Sequence, residues 1–382
     1  MKKIVLLGAT GSIGENTLKV VDAHREALAI VGIAAKSRWE RLATIAKKYQ
    51  VKHVGIFDGN AARAAAESGL FAAGTRFYVG AEGLEALAAL ADADLVLTAV
   101  VGTLGLKPTL AAIEAGKDVA VASKEILVLA GKFVMAAAAR KGVKILPVDS
   151  EHNAIFQCIG NEPSRAVDRI ILTASGGVFR DWTLEAMTKI VPADALKNPN
   201  WDMGPKVTVD SSSMANKGLE LIEATWLFGV PAERVDIVVH PQSVVHSMVK
   251  FLDGSVLAQL APPSMTFPIQ NCLFYPERVP ATVPGLDFAG TLSLDFRQPD
   301  YQKYKCLRLA RECAAARGVA PAIFNAANEV AVEAFLNRGL PYLQIPELIE
   351  KVLGQFENFE PVTLEEVLAL DAQARERAAA LL

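Results

Sequence analysis

KKIVLLGATGSIGENTLKVVDAH, residues 2–24, reads as a short apolar strand, a glycine turn and an amphipathic helix in immediate succession. The run Ile4–Leu7 stops at Gly8-Ala9-Thr10-Gly11-Ser12-Ile13-Gly14, after which Leu18, Val20 and Val21 recur with helical spacing. Glycines there permit a tight reversal and let backbone N–H groups and a helix N-terminus approach a pyrophosphate. Gly8, Thr10, Gly11, Ser12 and Ile13 are therefore candidate dinucleotide contacts. The next strand pattern, AIVGIAAKSR at 29–38, ends in Lys36-Ser37-Arg38, where folds selective for NAD place a carboxylate for the ribose 2′-hydroxyl. Two cations and a hydroxyl suit a 2′-phosphate instead, which favours NADPH.

Outward from this unit, β-branched runs alternate with helical patterns as far as residue 149, as in HVGIF, DLVLTAV, DVAVA and KILPV. The rhythm predicts an α/β fold whose N-terminal domain, 1–149, is a Rossmann-like doubly wound parallel sheet. From 150 to 276 the pattern becomes α+β, with strands such as RIILTAS, VDIVVH and SVVHSMVKF and a hairpin signal at Asp253-Gly254. Within it, 176–205 places one short helix among turn formers, as a lid loop would. Residues 277–301 read as a proline-containing linker, and 302–382 carry only helical signals, a C-terminal helical bundle.

With 382 residues, 52% hydrophobic and 21% charged, the chain can hold two or three domains and is too apolar for disorder. A net charge of −3 without a polybasic cluster excludes a nucleic-acid surface. No apolar run reaches membrane-spanning length, and Gly8 and Gly11 cut MKKIVLL short of a secretory core. Cys158, Cys272, Cys306 and Cys313 share no paired spacing, which points to a reduced, cytoplasmic setting.

The segment ILPVDSEHNAIFQ, 145–157, sets two carboxylates where a buried strand emerges. Read as extended chain, Asp149 and Glu151 point to one side and converge on a hard cation, while Ser150 faces elsewhere. Further on, VTVDSSSMANKGLELIEATWLF at 207–228 predicts a strand turning to helix near Ser211, with Asn216, Lys217 and Glu220 on one helical face. Two donors beside a carboxylate, with Ser211 near a helix start, suit a joint phosphate and metal site. His152 reads as a group that packs or orients a carboxylate rather than a third ligand, and His240 and His246 as structural or as supports behind the site.

Together these segments resemble the 1-deoxy-D-xylulose 5-phosphate reductoisomerase family. The resemblance is carried by GATGSIG at 8–14, ASKE at 122–125, LPVDSEHNAIFQ at 146–157, LTASGG at 172–177, NPNWDMG at 198–204, VDSSSMANKGLE at 209–220, HPQSVVHSMV at 240–249 and NAANEVAVEAFL at 325–336. It implies conversion of 1-deoxy-D-xylulose 5-phosphate, with NADPH, to 2-C-methyl-D-erythritol 4-phosphate in the non-mevalonate isoprenoid pathway, by a homodimer.

By the same resemblance Asp149, Glu151 and Glu220 would bind Mg²⁺ or Mn²⁺, and Lys124 and Ser150 would contact the reacting end. Ser175, Ser211, Asn216 and Lys217 would hold the phosphate, and Ser123 and Glu125 would lie on the cofactor side. Trp201 and Met203 would close from the lid. The lid motif of the family typically reads His-Pro-Asn-Trp, and here Asn198 stands first. A neutral amide thus replaces an imidazole in a substrate-binding position. Two other readings of the residues remain open at this stage: a nucleotide-binding regulatory protein without efficient turnover, and a metal-assisted dehydrogenase that does not rearrange its substrate.

Overall fold

The opening apolar run forms strand β1 (Lys2–Leu7), whose Ile4, Val5, Leu6 and Leu7 are all fully buried. A strand buried on both faces belongs inside a parallel sheet covered by helices. In the computed structural model, which describes residues 1–197, 201 and 203–382, β1 is the centre of such a sheet. Its other strands are β2 (Leu28–Ala35), β3 (His53–Ile56), β4 (Arg76–Val79), β5 (Leu95–Thr98), β6 (Asp118–Val121) and β7 (Ile145–Pro147). The order is β4-β3-β2-β1-β5-β6-β7 and every pairing is parallel. Strand order reverses between β1 and β5, and in doubly wound sheets ligands bind at that switch point, beyond the carboxyl ends of the strands. The strand β4 has no counterpart among the sequence patterns. It is a four-residue edge strand with two exposed positions, too short to show a period.

A second sheet has the order β11-β10-β8-β9, from β8 (Val167–Ala174), β9 (Val235–Val239), β10 (Val245–Phe251) and β11 (Val256–Leu260). β10 runs antiparallel to both neighbours, and β8 and β9 are parallel. The β10–β11 hairpin turns at Asp253-Gly254, as expected: Gly254 has φ +87° and Asp253 Oδ1 accepts from Ser255 N–H at 2.9 Å. Four helices close the chain, Lys305–Ala316, Ala320–Asn337, Gln344–Leu353 and Leu364–Ala380.

Contacts group the chain into two compact units. The first comprises Met1–Ile126, Lys132–Asn153 and Met265–Pro284, and the second Leu127–Gly131, Ala154–Ser264 and Gly285–Leu382. The helix Thr266–Phe274, assigned by chain order to 150–276, thus belongs with the first sheet. Lys2 Nζ donates to the Leu273 carbonyl at 2.7 Å, and the rings of His24 and Phe274 meet edge-on at 4.9 Å. The supposed linker 277–301 is likewise shared out. Gln270 holds its first part through Val279, Pro280 and Thr282, while Arg297 forms a bridge to Val239 at the end of β9.

Candidate active site

The glycine turn is built as its sequence demands. Gly8 has φ +94°, and a Cβ there would lie 2.7 Å from the Ala99 carbonyl carbon. A Cβ on Gly14 would lie 2.6 Å from both C and O of Ala9, so only glycine lets the helix Ser12–Ala23 come this close to the turn. Gly8 and Ala9 N–H groups donate to the Ala34 carbonyl at 2.9 and 2.8 Å, fixing the turn to the end of β2. Gly11 caps that helix without any side-chain bond, which leaves its N-terminus to an anion. Lys36, Ser37 and Arg38 are exposed beside it, and Arg38 Nη1 reaches the Thr10 carbonyl at 3.3 Å. Beyond β6, Ser123 donates its hydroxyl to the Val100 carbonyl, and Ser123 and Glu125 are both buried. A cradle that a single Cβ would fill, flanked by cations, fits a phosphorylated dinucleotide.

The carboxylate segment differs from the extended chain expected. β7 stops at Pro147 and a helix, Ser150–Ile159, begins one residue before Glu151, which does not continue the strand. Glu151 therefore sits in a first helical turn, and Ser150 does not face away: its hydroxyl donates to Glu151 Oε2 at 2.5 Å. Convergence survives this change, since Asp149 and Glu151 still offer oxygens within 4.8 Å of each other. That is a suitable span for two ligands of one hard dication. Lys124 Nζ lies 2.5 Å from Asp149 Oδ2, with both side chains about nine-tenths buried. The fully buried His152 places Nδ1 4.0 Å from the same oxygen, the position of an orienting group.

Sequence reasoning missed what holds this segment. Asn153, 1% exposed, donates to the Pro147 carbonyl and to Asn271 Oδ1, each at 3.0 Å, and Cys272 Sγ donates to the same Pro147 carbonyl at 3.1 Å. Asn271 and Cys272 lie on the helix Thr266–Phe274, so no local pattern could reveal them.

In the second unit, the expected strand at 207–210 is a helix, Pro205–Ser213, with Gly204 as N-cap and Pro205 in its first turn. Pro at that position is pre-set for helix and has no N–H to leave unpaired, and Lys206 Nζ pairs with Asp210 at 2.9 Å one turn on. Met214 then adopts φ +61°, and a second helix, Ala215–Phe228, starts. Ser211 accordingly belongs to the last turn of one helix rather than the first turn of another. Asn216 Nδ2 donates to Glu220 Oε1 at 2.5 Å and Lys217 Nζ to Oε2, so the three share one face as expected. Lys217 and Glu220 are buried.

The Ser175 turn lies against this helix pair. A Cβ on Gly177, which has φ +69°, would lie 2.7 Å from the Ser211 carbonyl and 2.8 Å from Ser212 Cα. Ser175 Oγ accepts from Gly177 N–H at 3.2 Å. Asp210, 1% exposed, accepts from Asn328 Nδ2 at 2.9 Å, which ties the helix Pro205–Ser213 to Ala320–Asn337. That contact was also invisible in the sequence, where NAANE shows only small and polar residues.

Of the lid, the described part holds two short helices, Leu184–Met187 and Pro192–Ala195, where one was expected. Trp201 lies with its ring 6.0 Å from that of His246, and Met203 is half-buried. Asn198 lies outside the described residues. His240 is structural: Nε2 accepts from Val244 and Val245 N–H groups at 3.2 Å, so Nδ1 carries the proton it donates to the Asp295 carbonyl at 2.8 Å. His246 bonds the Ala261 carbonyl at 3.1 Å. All four thiols are free, and burial pushes Cys158 up to about 11 and Cys306 and Cys313 up to about 12, which argues against thiolate chemistry.

Residues 4–131 match the family model for 1-deoxy-D-xylulose 5-phosphate reductoisomerase, 145–228 that for its C-terminal domain, and 260–377 that for a DXP reductoisomerase C-terminal domain. Among similar proteins, the 1-deoxy-D-xylulose 5-phosphate reductoisomerase of Cellvibrio japonicus is 47% identical over 392 residues, covering 100% of this chain and 98% of that one. The same enzyme of Heliobacterium modesticaldum is 47% identical over 377 residues, covering 98% and 96%. The Zymomonas mobilis enzyme, solved with NADPH, superimposes with a TM-score of 0.93 at 43% identity, covering 100% of this chain and 98% of that one. A reductoisomerase solved with NADPH, fosmidomycin and magnesium gives 0.92 at 38% identity, with the same coverage. The chain belongs to the 1-deoxy-D-xylulose 5-phosphate reductoisomerase family.

Proposed function

We infer that this chain catalyses the NADPH- and divalent-metal-dependent rearrangement and reduction of 1-deoxy-D-xylulose 5-phosphate to 2-C-methyl-D-erythritol 4-phosphate, in the non-mevalonate isoprenoid pathway. The observation that carries the reading is the pair Asp149 and Glu151, whose oxygens come within 4.8 Å of each other in a chain that also holds a dinucleotide turn. When bound, Mg²⁺ or Mn²⁺ supplies Lewis acidity toward a carbonyl and its neighbouring hydroxyl, and NADPH supplies hydride.

Asp149, Glu151 and Glu220 are the proposed metal ligands, all hard oxygen donors. Lys124 pairs with Asp149 and orients it, and with Ser150 it contacts the reacting end of the sugar. Ser175, Ser211, Asn216 and Lys217 hold the phosphate. Gly8, Thr10, Gly11, Ser12 and Ile13 receive the cofactor pyrophosphate, Lys36, Ser37 and Arg38 its 2′-phosphate, and Ser123 and Glu125 line its approach. Trp201 and Met203 exclude water when the lid closes, with Asn198 at its substrate-binding position.

The working form is proposed to be a cytoplasmic homodimer. Support comes from the sheet edge β11, where Val256 and Leu257 are exposed, and from exposed Phe288, Leu292 and Leu294 in the arm that follows. Among the described residues no helix is long and apolar enough to cross a membrane. The test is NADPH oxidation with 1-deoxy-D-xylulose 5-phosphate and Mg²⁺, with identification of the product. A reduced but unrearranged sugar would leave a dehydrogenase, and no oxidation at all would sink the enzymatic reading.

A further inference from the structure

Residues 300–304, DYQKY, precede the helix Lys305–Ala316 and have no part in the site above. They form a compact turn around Asp300, whose Oδ1 accepts from Gln302 and Lys303 N–H groups at 2.9 and 3.1 Å and whose carbonyl accepts from Tyr304 N–H at 2.9 Å. From this platform Lys303 Nζ donates to three carbonyls, those of Phe179 at 2.7 Å, Arg180 at 2.9 Å and Trp182 at 2.7 Å. An ammonium has three protons, and all three go to one turn at the root of the lid. The neighbouring side chain reaches the other end of the same loop: buried Tyr304 donates its hydroxyl to the Gly176 carbonyl at 2.9 Å.

Gly176 and Gly177 both have positive φ, +79° and +69°. Two glycines in succession have the greatest backbone freedom a chain can offer, so the shape of this turn depends on bonds from outside it. Gly177 has contact with Ser211 and Ser212, and Ser175 directly precedes the pair.

We propose that Lys303 and Tyr304 are positioning residues for the substrate phosphate, holding the Ser175–Gly177 turn and the lid root in the shape that receives a phosphorylated sugar. This rests on the phosphate assignment of Ser175, Ser211, Asn216 and Lys217 made above. Loosening the turn costs ordering entropy when phosphate binds and leaves the carboxylates at 149 and 151 untouched. The effect therefore falls on KM rather than on kcat.

The test compares Tyr304→Phe, Lys303→Met and Lys303→Arg in the full-length enzyme with NADPH and Mg²⁺, using inorganic phosphate as a competitive probe. Tyr304→Phe should raise both KM for the sugar phosphate and Ki for phosphate by about threefold to tenfold, the effect of one lost hydrogen bond, and Lys303→Met, which removes three, by at least as much. kcat and NADPH affinity should stay within about twofold, and Lys303→Arg should recover part of the loss. Tyr304→Phe keeps the ring and its packing, so the comparison stands even if Lys303→Met fails to fold. Unchanged KM and Ki in Tyr304→Phe, while Lys217→Met raises them, would overturn the role of Lys303 and Tyr304 and leave the phosphate assignment standing. Unchanged Ki in Lys217→Met would overturn the phosphate assignment and the proposal with it.

Discussion

Glu220 is fully buried, and its oxygens are taken up by Asn216 and Lys217. Glu220→Gln preserves its shape and removes the charge that Lys217 and a dication would both need. Turnover is expected to fall at least about a hundredfold, because metal stabilisation of transition-state charge is a matter of several kcal/mol. NADPH titration should be unchanged, since the glycine turn belongs to the first unit. Undiminished activity would remove Glu220 from the ligands. Arg38 is exposed, with Nη1 on the Thr10 carbonyl, and is proposed to meet a 2′-phosphate by charge-assisted bonds, each contributing about 1.5–3 kcal/mol. Arg38→Ala should therefore weaken NADPH about tenfold or more and leave NADH affinity as it was; equal affinity of the parent for both nucleotides would count against the assignment. At this scale residue types were legible in the sequence, and side-chain directions less so. The convergence of Asp149 and Glu151 was anticipated from a strand, yet it arises at a helix start, which also turns Ser150 toward Glu151.

Elements read correctly where their signal is local. The turn after β1 requires glycine at 14 because the helix Ser12–Ala23 runs against Ala9. Gly14→Ala should push that helix away and raise the NADPH dissociation constant by about tenfold or more, as the helix N-terminus is the proposed anion contact. Tight binding by this variant, measured by titration, would show that the turn can yield. The pattern VTV at 207–209 misleads in the opposite way. β-branched residues suggest a strand, but Gly204-Pro205 starts a helix and burial of Thr208, Val209 and Asp210 holds it there. For the lid, the side-chain chemistry alone sets the expectation. A hydrogen bond to a charged partner contributes about 1.5–3 kcal/mol, so Asn198→His should raise kcat/KM for the sugar phosphate by about 10- to 150-fold. Metal and NADPH affinities should hold steady. Lower activity would mean that Asn198 is adapted to this lid.

For the molecule as a whole, the exposed β11 edge makes oligomeric state a direct test. Leu257→Glu places a charge on an already exposed position, which a monomer tolerates and a buried dimer interface does not. Sedimentation should show a shift from dimer toward monomer with the fold intact; an unaltered dimer would place the interface elsewhere. The sequence by itself determined the parallel N-terminal sheet, the cofactor turn, the carboxylate pair and the closing helices. Their signals are periodicity, glycine spacing and residue type, which act over a few residues. Only the tertiary structure decided that Thr266–Phe274 returns to the first sheet and that Asn153 meets Asn271 across 118 positions of chain. It also decided that Asn328 holds Asp210, again 118 positions apart, and that Lys303 and Tyr304 donate to the carbonyls of Phe179 and Gly176. A buried polar group must find a partner, but nothing in its own neighbourhood of sequence says which one, because that choice is made by the packing of elements far apart in the chain.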